Sequence, residues 1–230
     1  MPNKARFWCV QEFSLAEALD ARQKEELDAF MQHVRYTKGE TIYFPGDPSD
    51  TVYTLHDGRV RLDYLDESGK RLTFAIVGPG QVFGETALAG EERRRWIAEA
   101  MEDTTLCIVH KNDLMRFAEQ NPQFAMTITK LIGSRMVEIE NKLENLLFRG
   151  VRARLANTLV ALAHEYGTET DDGIRIGLGL THQELAHLIG STRETTSATL
   201  GDLEDEGFLY KRRGEIVLSD MEGIRALAGT

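Results

Sequence analysis

The chain has 230 residues, which suits two domains, with 42% apolar and 28% charged residues and a formal net charge of −10. Only two cysteines occur, Cys9 and Cys107; they exclude a four-thiolate iron–sulfur cluster within one chain, and without C-x-x-C or H-E-x-x-H spacing no metal site is expected. No apolar run is long enough to span a bilayer and the opening residues MPNKARFWCVQEF lack the apolar core of a signal peptide, so a cytoplasmic protein without a membrane partner is expected.

From Ser14 to His33 the pattern LAEALDARQKEELDAFMQH reads as one or two amphipathic helices. From about Val34 to Val109 the apolar period becomes two. Tyr36–Phe44, Val52–Leu55, Arg59–Leu65, Leu72–Val77 and Trp96–Ala100 are short and rich in strand-forming residues. Turn signals divide them at Pro45-Gly46-Asp47-Pro48, Asp57-Gly58, Glu67-Ser68-Gly69 and Gly78-Pro79-Gly80. Such strands predict an antiparallel sandwich or jelly roll. Inside this region Phe83-Gly84-Glu85-Thr86-Ala87-Leu88 precedes Arg93-Arg94-Arg95. A short helix after a glycine can aim N–H groups at an anion, an arginine can pair with phosphate, and a glutamate can accept from a sugar hydroxyl. The competing reading is a solvated basic loop.

Asn121-Pro122 starts a long helix in which Ile128, Ile132, Ile139, Leu143 and Leu146 recur at spacings of three, four and seven. A narrow apolar stripe among charged residues predicts a two-stranded contact, hence a homodimer; a helix packed on its own sheet is the alternative. The expected division is 1–120 for the N-terminal helices and β domain, 121–149 for the dimerisation helix, and 150–230 for a C-terminal domain.

In that last domain, LTHQELAHLIGSTRETTSATLGDLEDEGFL reads as two short helices around Gly190. Thr181 and Glu184 form a T-x-x-E capping box, and Ser191 or Thr192 caps a second helix that opens Arg193-Glu194-Thr195-Thr196. A β-hairpin comes next, with Lys211-Arg212-Arg213 at its centre. The motif alone also fits a plain helical hairpin; with the β-hairpin behind it, it predicts a winged helix-turn-helix that binds double-stranded DNA. Net charge does not oppose this, because DNA responds to the local field within about 8 to 10 Å.

The order of turns, the G-E-x-A-L segment with arginines after it, the long helix, and the runs T-x-Q-E-L-A and G-S-T-R-E-T-T-S resemble the CRP/FNR family of bacterial transcription regulators along nearly the whole chain. The resemblance implies an α+β protein: a cyclic-nucleotide-binding-type β-roll (jelly roll), a long dimerisation helix and a C-terminal winged helix-turn-helix. Its partners would be a palindromic promoter site, a second copy of the chain and RNA polymerase, with an activator among the expected roles. Arg193 and Glu194 match the family's first two base-reading positions, and Ala198 stands at the third, often Arg. Glu194 has a structural alternative, since Ser191-x-x-Glu194 is itself a capping box. Thr181, His182, Gln183, Thr192, Thr195, Lys211, Arg212 and Arg213 are expected at phosphates.

The candidate effector pocket is Gly84, Glu85, Thr86, Arg93, Arg94, Ile139 and Glu140. Glu85 matches the family's ribose-binding glutamate, and the phosphate-binding arginine maps to Arg94 or Arg93. The neighbouring hydroxyl residue is missing, Trp96 adds bulk, and Ile139-Glu140 stand where a Thr-Ser pair meets adenine. The cyclic AMP set is therefore incomplete. The tail also resembles the haem-type carbon-monoxide-sensing branch, and Met1-Pro2 can leave an N-terminal proline like that branch's ligand. The branch's haem histidine is absent, and His33, His56 and His110 match no ligand. No cofactor is assigned. No nucleophile, base and orienter occur at motif spacing, so an enzyme is not expected; the rival function is a ligand-binding module without DNA activity.

Overall fold

The computed structural model describes residues 19–212 and 214–229. Residues 14–18 of the first predicted helix, Cys9 and Arg213 lie outside them. Two compact units emerge: the chain up to Lys70 with Phe74–Val137, and Arg71–Thr73 with the chain from Glu138.

The first unit opens with α1 (Ala21–Ala29), capped by Asp20, whose carboxylate accepts from the Gln23 N–H while the Gln23 side chain answers the Asp20 N–H. The helix ends before His33, contrary to expectation. Gln32–Tyr36 forms strand β1 instead, with His33 opposite Cys107, because the ladder to a distant strand outweighs the helical pattern. The single strand expected over Tyr36–Phe44 is also broken, since Thr37–Glu40 turns and the Glu40 carboxylate accepts from the Thr37 N–H at 2.9 Å.

The remaining strands are β2 (Thr41–Tyr43), β3 (Thr51–Asp57), β4 (Val60–Leu65), β5 (Arg71–Val77), β6 (Val82–Phe83), β7 (Ile97–Ala100) and β8 (Thr104–His110). They form two four-stranded sheets ordered β1-β8-β3-β6 and β2-β7-β4-β5. Inward residues of both, among them Leu55, Val60, Leu62, Phe83, Ala98 and Leu106, make one core. This is the predicted jelly roll; residues two apart share a face, and in β3 and β4 both faces are covered, since Val52–Leu55 and Val60–Asp63 are buried without a break.

Helix α2 (Lys111–Gln120) comes after β8, capped by His110, whose Nδ1 accepts from the Asn112 N–H at 3.2 Å. The long helix α3 spans Pro122–Phe148, 27 residues. Its stripe divides differently from expectation. Ile128 is buried with Phe117 and Phe124, and Ile132 is partly buried against the same core. Met136, Ile139, Leu143 and Leu147 are about half exposed or more, while Leu146 is half-buried.

The second unit contains α4 (Val151–Tyr166), β9 (Gly167–Thr170), β10 (Gly173–Ile176), α5 (His182–Ile189), α6 (Arg193–Asp205), β11 (Leu209–Arg212), β12 (Glu215–Leu218) and α7 (Met221–Ala228). Leu155, Leu159, Leu185, Ile189, Leu200 and Leu203 close its core. The predicted hairpin is β11–β12, with Arg212 opposite Glu215, and it belongs to a sheet ordered β11-β12-β10-β9. Among the described residues no helix is long and apolar enough to cross a membrane.

Candidate nucleic-acid interface and sensor pocket

Helix α5 begins where the capping box places it. Thr181 Oγ1 accepts from the Glu184 N–H at 3.2 Å, and Glu184 accepts from both the Thr181 N–H and hydroxyl at 2.8 Å. The helix ends at Gly190, φ +62°, a left-handed residue that frees the chain to turn. Thr192 then caps α6 by accepting from the Thr195 N–H at 3.2 Å. The cap is Thr192 and not Ser191, so the Ser191-x-x-Glu194 box does not form and Glu194 is left outside the capping scheme.

Thr196, Thr199, Leu200 and Leu203 bury one face of α6. Arg193, Glu194 and Ala198 are exposed on the other, and Ser197 lies between them, half-buried. Three- and four-residue spacing puts these four on one helix face.

The expected phosphate contacts carry local duties. Thr181 is spent in its cap. Thr192 and Thr195 share a hydrogen bond of 2.9 Å between hydroxyls. Gln183 Nε2 lies 2.7 Å from His187 Nε2, and His182 Nδ1 lies 2.7 Å from Ser197 Oγ. In the wing, Lys211 Nζ is 2.8 Å from Glu204 Oε2. Arg212 is exposed near the hairpin turn at Gly214, φ +82°; Arg213 lies outside the described residues. Lys211 is therefore ion-paired with Glu204 in the free chain.

In the β-roll, Gly84 adopts φ +75° and starts a five-residue 3-10 turn, Glu85–Ala89. The two arginines differ in environment. Arg94 is 3% exposed, while Arg93 is exposed and donates outward to the Gly46 carbonyl at 2.9 Å. Arg94 Nη1 donates to the Gly84 carbonyl at 3.1 Å, and Nη2 donates to the Thr51 carbonyl and hydroxyl. Its guanidinium lies 4.7 Å from the Tyr43 ring centroid and 5.5 Å from that of Tyr53. Tyr53 stacks on Phe83 at 4.8 Å. Burial pushes the Tyr43 hydroxyl well above the usual tyrosine range, against the pull of Arg94.

Glu85 Oε1 lies 3.5 Å from Arg135 Nε of α3, whose Nη2 donates to the Val82 carbonyl at 2.9 Å. Thr86 donates to Glu91 at 2.5 Å. Ile139 and Glu140 belong to the second unit and are exposed. Thus Gly84, Glu85 and Arg94 gather, and Arg93 does not join them. Tyr43, Thr51, Tyr53 and Arg135 were missed; inward alternation on β2 and β3 was the available signal for the first three.

A jelly roll with an arginine and a glutamate around one glycine turn, a long helix, and a winged helix-turn-helix with an exposed face on its second helix define a DNA-binding regulator carrying a sensor-type domain. Comparisons agree. Residues 33–121 match the cyclic nucleotide-binding domain and residues 153–227 the Crp-like helix-turn-helix domain. The Global nitrogen regulator of Synechococcus elongatus is 34% identical over 80% of this chain and 84% of its own. The Cyclic AMP receptor protein of Thermus thermophilus is 31% identical over 89% and 93%. The solved structure of CLP from Xanthomonas campestris, described as c-di-GMP responsive, is 25% identical and covers 86% of this chain and 99% of that one, with a TM-score of 0.77. The chain belongs to the CRP/FNR family of transcription regulators.

Proposed function

We propose that this regulator acts as a cytoplasmic homodimer on a palindromic promoter site and works with RNA polymerase. The observation that carries the reading is the face of α6, which leaves Arg193 and Glu194 uncovered while four neighbours anchor the helix from behind. Arginine suits guanine O6 and N7, and glutamate accepts from cytosine N4. Exposed Met136, Ile139, Leu143 and Leu147 supply the seam for a second copy, whose symmetry puts two reading helices about 34 Å apart. On this reading the chain divides functionally into a sensor domain, a dimerisation helix and a DNA-reading domain. Gel-shift titration against selected palindromes, with sedimentation of the free protein, tests it: random DNA bound as tightly as the palindrome, or a monomer at micromolar concentration, overturns it.

We further propose that DNA binding does not require cyclic AMP. Arg94 already donates to two carbonyls and a hydroxyl, Glu85 faces Arg135, and no hydroxyl residue neighbours Arg94 in sequence. Affinity measured with and without cyclic AMP tests this, and a large gain on adding it sinks the proposal. An absorption spectrum of the purified protein tests for haem.

A further inference from the structure

Two residues of the helix-turn-helix are joined across the turn. His182, the first residue of α5, places Nδ1 2.7 Å from the hydroxyl of Ser197, one turn into α6. Ser197 stands four residues after Arg193 and three after Glu194, so it shares their face, next to the exposed Ala198. Ala198 carries no polar atom beyond its backbone. Ser197 is therefore the next polar side chain along the reading face, and its hydroxyl has a single proton to place.

We propose that His182 is a positioning residue that sets the polarity of the Ser197 hydroxyl on this face. The inference rests on the reading of α6 as the base-reading helix. With the duplex bound, donation from His182 Nε2–H to a phosphate oxygen would fix the tautomer in which Nδ1 accepts. Nδ1 then takes the Ser197 proton, leaving Ser197 Oγ as an acceptor toward the groove. The major-groove partners of an acceptor are the exocyclic amines, adenine N6 or cytosine N4. One phosphate contact is thereby coupled to one base preference, and serine, which otherwise suits either donor or acceptor edges, is restricted to one.

The experiment selects binding sites from random duplexes for the wild type and for Ser197→Ala, His182→Ala and His182→Gln, with each variant's thermal unfolding measured beside it. The wild-type site is then remade with the base facing Ser197 replaced by an analogue lacking its amine. The expected result is a loss of about five- to tenfold for the wild type on the analogue and none for Ser197→Ala, the size of one hydrogen bond. His182→Ala relaxes that same base pair and leaves the pairs read by Arg193 and Glu194 unchanged, and His182→Gln recovers part of the preference. A His182→Ala variant that weakens all sequences equally makes His182 a phosphate contact alone and overturns the proposal, as does a Ser197→Ala variant with an unchanged site. A wild type that selects no sequence fails the reading of α6 itself and the proposal with it.

Discussion

Glu204 of α6 and Lys211 of the wing are joined twice, Oε2 to Nζ at 2.8 Å and Oε1 to the Lys211 N–H at 3.1 Å. The pair ties the end of α6 to β11 and, on the proposed reading, competes with phosphate for the Lys211 cation. Glu204→Gln frees that cation. The expected outcome is tighter binding to random DNA and a salt dependence whose log–log slope steepens by about 1, read from titrations at several salt concentrations.

The same pair sets a pH dependence. Hydrogen bonds from the Lys211 side chain and backbone hold the Glu204 carboxyl below the usual glutamate range. A depressed carboxylate stabilises the fold at any pH above its unfolded value, about 4.3, and that stability fades as pH falls through the lower folded value. Wild type should exceed Glu204→Gln in melting temperature from neutral pH to about 5, and the difference should close below about 4. A difference that persists at low pH refutes the electrostatic account.

Arg193→Ala should cost about 1 to 3 kcal/mol on the selected site and relax preference at one base pair of each half-site. Uniform loss on specific and random DNA, measured by competition, would assign Arg193 to the backbone instead.

Arg94 and Arg93 are adjacent in sequence and opposite in environment, so their alanine variants should part. Arg94→Ala removes a donor from the buried Gly84 carbonyl and the half-buried Thr51 carbonyl and should destabilise the first unit by about 1 to 3 kcal/mol. Arg93→Ala removes an exposed contact and should stay within about 0.5 kcal/mol. Urea unfolding monitored by tryptophan fluorescence compares them.

Leu143 is 54% exposed on α3, leaving about half of its side chain uncovered by the described residues of its own chain. Leu143→Asp should shift sedimentation to the monomer and weaken palindrome binding, while circular dichroism of the folded chain stays the same.

What the sequence made legible was local. The capping box at Thr181 and the turn at Gly190 are read from residues three or four apart, and the structure forms both. Strand alternation likewise announced the jelly roll. What escaped depends on partners far along the chain. Nothing near Lys211 names Glu204, and nothing near His182 names Ser197, fifteen positions on. The arginine run hid which member turns inward, because a loop of undefined register precedes β7. Ile128 belongs to the same run of three-, four- and seven-residue spacings as Leu143, yet spacing does not say which surface a stripe meets; α2 supplies Phe117 against it. Helix α4 and strands β9 and β10 lacked a motif to draw notice.

Strand β12 is hydrogen-bonded along both edges, to β11 on one side and β10 on the other. A free two-stranded hairpin is marginal in water, and would have to order itself on the duplex. This one has no ordering step left at its base. On the proposed reading, the wing therefore meets DNA with its base already formed, and its share of the association carries no folding cost there.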